Sequence, residues 1–189
     1  MRQFSIAATA AILLTAAPHV RAADGPYIAA GYAVTGFKTL CDGDACDRHD
    51  GGFRAAAGWG FAKYLTVEAL YLHAGHFVAG NVTSDGIPFH GTAKVTGYGG
   101  TVGFEIPLPH GLSLGGRLGG ASMKADFRPG PAPAIAGEMT TTQLLAGVTA
   151  RWQFADHWSL RADWDHTRAR MNRFDGDVNA GTIGFQFGF

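Results

Sequence analysis

The chain has 189 residues, and its 15 Lys and Arg balance 15 Asp and Glu for a formal net charge of zero. That length holds one domain, and the balance supplies neither the basic face that nucleic acid requires nor an acidic tail. Its 28 glycines are too many for a helical protein and too scattered for collagen or a linker, which points to closely packed strands and turns.

Met1-Arg2-Gln3 makes a short positive start, and Phe4 to Ala17 forms an apolar run rich in Ala, Ile and Leu. This is the pattern of a secretory signal, and the run falls short of the roughly 20 residues that a spanning helix needs. Val20-Arg21-Ala22 supplies a small-x-small cleavage pattern. The expected organisation is a signal peptide over 1–22 and one mature domain over 23–189. The chain's 2 cysteines, Cys41 and Cys46, lie close together. In an oxidising envelope such a pair is expected to close a loop as a local disulfide, whereas structural zinc wants four ligands and finds no second pair.

From there the chain alternates with period two in segments of about ten residues, the signature of strands that send successive side chains to opposite faces. The first, near Tyr27 to Gly36, sets Ile28, Ala30, Tyr32 and Val34 against Ala29, Gly31, Ala33 and Thr35. The second sets Phe53, Ala55, Ala57, Trp59 and Phe61 against Gly52, Arg54, Ala56, Gly58 and Gly60. In the third, about Tyr64 to Gly75, Leu65, Val67, Ala69 and Tyr71 oppose Thr66, Glu68, Leu70 and Leu72, and leucines on both sides leave its facing open. The fourth, about Ala93 to Ile106, opposes Tyr98, Val102, Phe104 and Ile106 to Gly97, Gly99, Thr101, Gly103 and Glu105.

The fifth sets Leu112, Leu114 and Leu118 against Ser113, Gly115, Arg117 and Gly119. The sixth sets Leu144, Ala146, Val148, Ala150, Trp152 and Phe154 against Thr141, Gln143, Gly147, Thr149, Arg151 and Gln153. In the seventh, Trp158, Leu160, Ala162 and Trp164 face away from Ser159, Arg161, Asp163 and Asp165. The eighth opposes Ile183, Phe185, Phe187 and Phe189 to Thr182, Gly184, Gln186 and Gly188.

The connections alternate in length. Phe61 to Tyr64, Pro107 to Gly111 and Ala155 to His157 are tight, while Phe37 to Gly51, His76 to Thr92, Ala125 to Glu138 and Met171 to Asp177 are longer and rich in Gly, Pro, Asp and Asn. A closed barrel of about eight strands has an interior just wide enough for side chains. The polar, small set suits that interior, and the Trp, Phe and Leu set then faces outward. In water that exposed apolar surface would far exceed the few hundred Å² usual for a soluble protein. Lipid accepts it. The fold expected is therefore all-β, an eight-stranded antiparallel transmembrane β-barrel with short periplasmic turns and longer extracellular loops.

By signal peptide, strand and loop rhythm and terminal aromatic, the chain resembles the small OmpA/OmpX-type outer-membrane barrel proteins across the whole mature region. Its ending Gly184-Phe185-Gln186-Phe187-Gly188-Phe189 resembles the carboxy-terminal signal read by the barrel-assembly machinery, with Phe185, Phe187 and Phe189 as the recognised residues. It departs from OmpA proper in stopping at the barrel, so no peptidoglycan-binding domain is expected. The resemblance implies a monomer in the outer membrane, with lipids and lipopolysaccharide around it, the assembly machinery as a partner in biogenesis, and no cofactor.

Arg54, Glu68, Glu105, Arg117, Arg151, Arg161, Asp163 and Asp165 all fall on the presumed inward face, four basic and four acidic. Arg151 and Arg161 sit across a tight turn from one another, so Glu68, Glu105 and Asp163 are needed as partners. The expected result is a salt-bridged plug, hence a closed barrel or at most a narrow channel.

An enzyme reading requires a nucleophile with a base in reach. His166 is the best base available and Ser122 the nearest candidate hydroxyl, but strand alternation turns Asp165 and Thr167 away from His166, and no enzyme is expected. His73, His76 and His90 have no metal-specific spacing, and Asn81-Val82-Thr83 as a glycosylation acceptor has no meaning in a bacterium. The expected function is structural or interactive: a scaffold displaying outer loops for adhesion, surface defence or envelope integrity. A narrow channel or transporter for small solutes is the alternative, with a lipid-modifying enzyme as the third reading.

Overall fold

The computed structural model describes residues 25–38, 49–62, 64–79, 91–129, 137–171 and 174–189. Cys41, Cys46, His90, Asn81-Val82-Thr83 and the expected leader 1–22 lie outside the described residues. Eight strands run in chain order: β1 Gly25–Lys38, β2 His49–Ala62, β3 Leu65–Ala79, β4 Gly91–Pro107, β5 Leu112–Pro129, β6 Gly137–Gln153, β7 Trp158–Met171 and β8 Phe174–Gly188. Each pairs antiparallel with its successor, and β8 returns to β1, so the sheet closes into a barrel. The all-β, eight-stranded antiparallel fold read from the alternation is the fold found.

The faces obey the period-two pattern. Tyr32, Trp59, Val102, Leu118, Trp152 and Phe185 stand outward and exposed, while Arg54, Thr101, Arg117, Arg151, Asp163 and Gln186 are buried inside. The third strand, undecided by its own pattern, turns Leu65, Val67, Ala69 and Tyr71 out and Thr66, Glu68, Leu70 and Leu72 in. Its register decides this: Glu68 sits opposite Gly58 and Thr101, both of which belong to inward rows.

Strand ends differ from the sequence reading. β3 runs on to Ala79, β4 begins at Gly91, β5 reaches Pro129 and β6 starts at Gly137, so the expected loops at these junctions are partly sheet. On β4 and β5 the cause is an inversion of polarity along the strand. On β5, Leu112, Leu114 and Leu118 face out, but beyond Gly120 the outward residues become Ser122, Lys124 and Asp126, while the inward ones become Ala121, Met123 and Ala125. β4 changes likewise, from outward Tyr98 to outward Thr96 and Lys94 with Val95 buried inside. A search for apolar residues facing out therefore stops too early.

That change marks the edge of the hydrocarbon. From Ile106 to Tyr98 a strand advances roughly 27 Å along its own axis, or roughly 20 Å along the bilayer normal at a tilt of about 40°, close to the apolar band of an outer-membrane barrel. Beyond it, Ala33, Leu72, Ala74, Val95, Met123, Ala125, Val178 and Ala180 form one buried apolar cluster inside the barrel. A second, of Ala29, Ala56, Leu70, Ala121 and Leu145, adds to it. The interior is thus not polar throughout, as its Gly, Thr and charged residues had implied.

Closure depends on close approach at the β1–β8 junction, where Gly31 faces Gly184. A Cβ on Gly31 would lie 2.5 Å from the Ile183 carbonyl oxygen, and one on Gly184 would run into the backbone of Ala30. By contrast Gly100 faces out, and a Cβ there meets nothing nearer than the Glu68 carbonyl oxygen at 3.8 Å. Gly184→Val is expected to destabilise the refolded barrel by about 1–3 kcal/mol through overpacking. Gly100→Val should change stability by no more than about 1 kcal/mol. Denaturant unfolding in micelles, monitored by tryptophan fluorescence, checks both.

Candidate functional site

Six of the inward charges meet in one knot. Arg54 from β2 contacts Glu68 on β3 and Asp163 on β7, the latter at 3.0 Å. Arg117 from β5 holds Asp163 Oδ1 and Asp165 Oδ1, each at 2.7 Å. Arg161, on the same strand as both aspartates, reaches Glu68 Oε2 at 2.6 Å and Asp163 Oδ1 at 3.0 Å. Asp163 is the hub, with hydrogen bonds from all three guanidiniums. Three arginines and three carboxylates cancel, and all six side chains are at most 6 % exposed.

Glu105 and Arg151 form a smaller group of their own. Arg151 Nη2 lies 3.2 Å from Glu105 Oε2, to which Ser113 Oγ also donates at 3.3 Å. Register explains why it is separate: Arg151 faces Arg161 across the β6–β7 ladder, and the two turn to different acids. Like charges set opposite one another are tolerable only when carboxylates separate them.

Two further inward residues complete the knot, and the sequence reading did not single them out. Tyr27 donates its hydroxyl to Glu68 Oε2 at 3.1 Å, and its ring lies 5.9 Å from the Arg161 guanidinium. Gln186 accepts from Arg161 Nη1 at 3.2 Å. Tyr27 shares the parity of the inward Ala29 and Gly31, and that was the available signal. Met123 and Leu145 were legible in the same way, as apolar residues at inward positions.

Above the knot, toward the long-loop end, lie the apolar clusters, so the interior is closed by ion pairs at one depth and by hydrocarbon side chains at another. The arrangement suits a plug and offers no row of open ligands.

The model of one protein family, described as outer membrane protein beta-barrel domain, matches residues 6–189. The chain belongs to that family. Solved structures share the fold of this outer membrane barrel. Ail, the attachment invasion locus protein of Yersinia pestis, is 20% identical with a TM-score of 0.56, over 87% of this chain and 99% of that one. OprG of Pseudomonas aeruginosa is 13% identical with a TM-score of 0.66, over 88% and 96%. Neisserial surface protein A is 14% identical with a TM-score of 0.60, over 88% and 98%. No curated protein matches the chain in sequence.

In this outer membrane barrel the residues considered for chemistry do not assemble. Ser122 Oγ pairs with Thr142 Oγ1 at 2.7 Å, and His166 Nδ1 with Asn179 Oδ1 at 2.9 Å, so each is engaged elsewhere. The His73 and His76 rings are 6.0 Å apart, but His73 stacks on Phe53 and its Nδ1 accepts from the Gly75 N–H at 3.2 Å. Among the described residues no group of three His, Cys, Asp or Glu is placed to hold a metal.

Asp163→Ala leaves three arginines to share two carboxylates. It is expected to cost about 3–5 kcal/mol, the usual penalty for breaking a buried pair. Ser113→Ala, which removes one neutral donor beside Glu105, should cost about 0.5–1.5 kcal/mol. Urea unfolding of both variants in micelles reads the ratio.

Proposed function

We propose that this chain is a closed outer-membrane scaffold that displays its outer loops and sheet to partners at the cell surface, in adhesion, surface defence or envelope integrity. The observation that carries this reading is the filled interior, in which the knot centred on Asp163 and the apolar cluster around Met123 seal successive depths. A barrel built to conduct needs a continuous wet path, and the charges here are spent on one another. The apolar outer face is matched to lipid, with lipopolysaccharide as the outer-leaflet neighbour, and the chain acts as a monomer without a cofactor.

The segment 1–22 serves as the export signal and 23–189 as the mature barrel. Cys41 and Cys46 close the first outer loop as a disulfide, and Phe185, Phe187 and Phe189 serve as the signal for the assembly machinery. Supporting this last role, Phe187 packs edge-on against Trp158 at 5.0 Å and against Phe189 at 5.2 Å, at the end where β7 and β8 meet.

The experiment is conductance beside adhesion. Refolded protein in a planar bilayer is expected to give no large, stable, porin-like current. Cells producing it should lose adhesion to host-cell layers when residues 39–48 and 130–136 are replaced by short turns that leave the barrel intact on an unheated gel. A steady porin-like current, or adhesion indifferent to both replacements, overturns the reading.

A further inference from the structure

Toward its outer end β3 breaks its alternation. The β3–β4 register shifts between His73, which faces Thr96, and Gly75, which already faces Val95, so Ala74 is an extra residue. This is a β-bulge, and Gly75 takes a φ of 96°, a conformation open to glycine. In an unbroken strand two residues three apart point to opposite faces. Here the extra residue puts His73 and His76 on the same outward face, with their rings 6.0 Å apart, while Ala74 and Gly75 are buried.

Side chains hold the bulge in place. The β2–β3 ladder ends at Phe53–His73, and past that pair Asp50 on β2 reaches across, its carboxylate accepting from the Gly51 N–H at 2.7 Å and from the His76 N–H. Thr35 on β1, fully buried, donates its hydroxyl to the Ala74 carbonyl at 2.6 Å. The Gly75 N–H donates to His73 Nδ1 at 3.2 Å. That last bond needs a lone pair on Nδ1, so His73 is neutral with its proton on Nε2. An imidazolium has two donors and no acceptor, and turning the ring over does not restore one.

The neighbours do little to welcome a charge on His73. His76 approaches from the same strand, and across the register from His76 stands Lys94 on β4, itself opposite Asp126 on β5. From β2 comes Asp50, whose carboxylate is already engaged by two backbone N–H groups. Phe53, stacked on the His73 ring at 5.6 Å, and Thr96 opposite it are uncharged, as are Tyr71 and Tyr98 in the next outward row. Among the described side chains, two protonated histidines would thus share Asp50. His73 lies two residues past Tyr71, whose partner Tyr98 marks the hydrocarbon edge, so protons reach it from water.

We propose that this bulge is a proton-operated latch at the outer rim. With His73 neutral it ties the outer end of β3 to β1 and β2. With His73 protonated the Gly75 amide loses its acceptor, and the segment Gly75 to Ala79 loosens from β2. Histidine is the side chain that ordinarily changes charge between about pH 5 and 8, so acidification of the medium reshapes the rim. The ion-pair knot lies deeper in the barrel and is no part of the device.

The test uses ¹⁵N-labelled protein refolded in micelles. At neutral pH the ring nitrogens of His73 should show the Nε2–H tautomer. From about pH 7.5 to about pH 5, a range across which carboxylates ordinarily stay charged, the protection factor of the Gly75 amide should fall about tenfold or more and track the His73 ring titration. The Thr101 amide, within the membrane barrel, should keep its protection.

His73→Asn places an acceptor oxygen where Nδ1 stood and cannot titrate. It should hold the Gly75 amide equally at both pH values, with the unheated gel shift intact, and His76→Gln should leave the pH response in place. Equal Gly75 protection at the two pH values, a neutral His73 with its proton on Nδ1, a response that survives His73→Asn, or one abolished by His76→Gln would each overturn the proposal.

Discussion

Hydrocarbon offers no partner to a backbone N–H or C=O, so every one of them at membrane depth must bond within the sheet, and the sheet must close. Here closure passes through Gly31 and Gly184, which let β1 and β8 approach without a side chain between them. Eight strands closed in this way leave an interior about one side-chain layer wide. Whatever points inward must then fill that space and satisfy itself. The charged knot goes far to meet this demand: each carboxylate in it has a guanidinium, and Tyr27 and Gln186 add one hydrogen bond each.

The same constraint accounts for the polarity inversion along the strands. Within the bilayer, packing apolar side chains into the lumen gains little over leaving them in lipid, and so electrostatics and hydrogen bonds hold the interior together there. Outside it, water returns on the outer face, and burial stabilises at about 25 cal/mol per Å² of apolar area. Met123, Val95 and Val178 then belong inside, and Lys94, Lys124 and Asp177 outside. One strand such as β5 carries both patterns without any change in which residues face in, because its alternation never slips.

These two halves divide the work. The membrane half is a closed barrel tied across its interior by ion pairs, and the outer half is a sheet with an apolar core that needs no lipid. Support of this kind suits recognition, since a segment carried on it loses little further freedom on binding. Among the described residues the β6–β7 ladder ends at Leu145–Thr167, in the outer half, where water can satisfy backbone groups that hydrocarbon could not.

From the sequence alone came the strands, their facing in seven of the eight segments, the closed membrane barrel and the set of charges that point to its axis. Period-two alternation is a local property, and a face rich in Trp and Phe has only one suitable solvent. Which arginine meets which acid was not legible, because Arg54 and Asp163 are brought together by the register of strands 109 positions apart. Asp163 as hub, the partition of Arg151 to Glu105 and the inward turn of Leu70 and Leu72 were decided by barrel closure. The reach of the strands beyond the bilayer and the end of the β6–β7 ladder at Leu145–Thr167 were decided there too, since both depend on how neighbouring strands meet in space rather than on any residue's own preference.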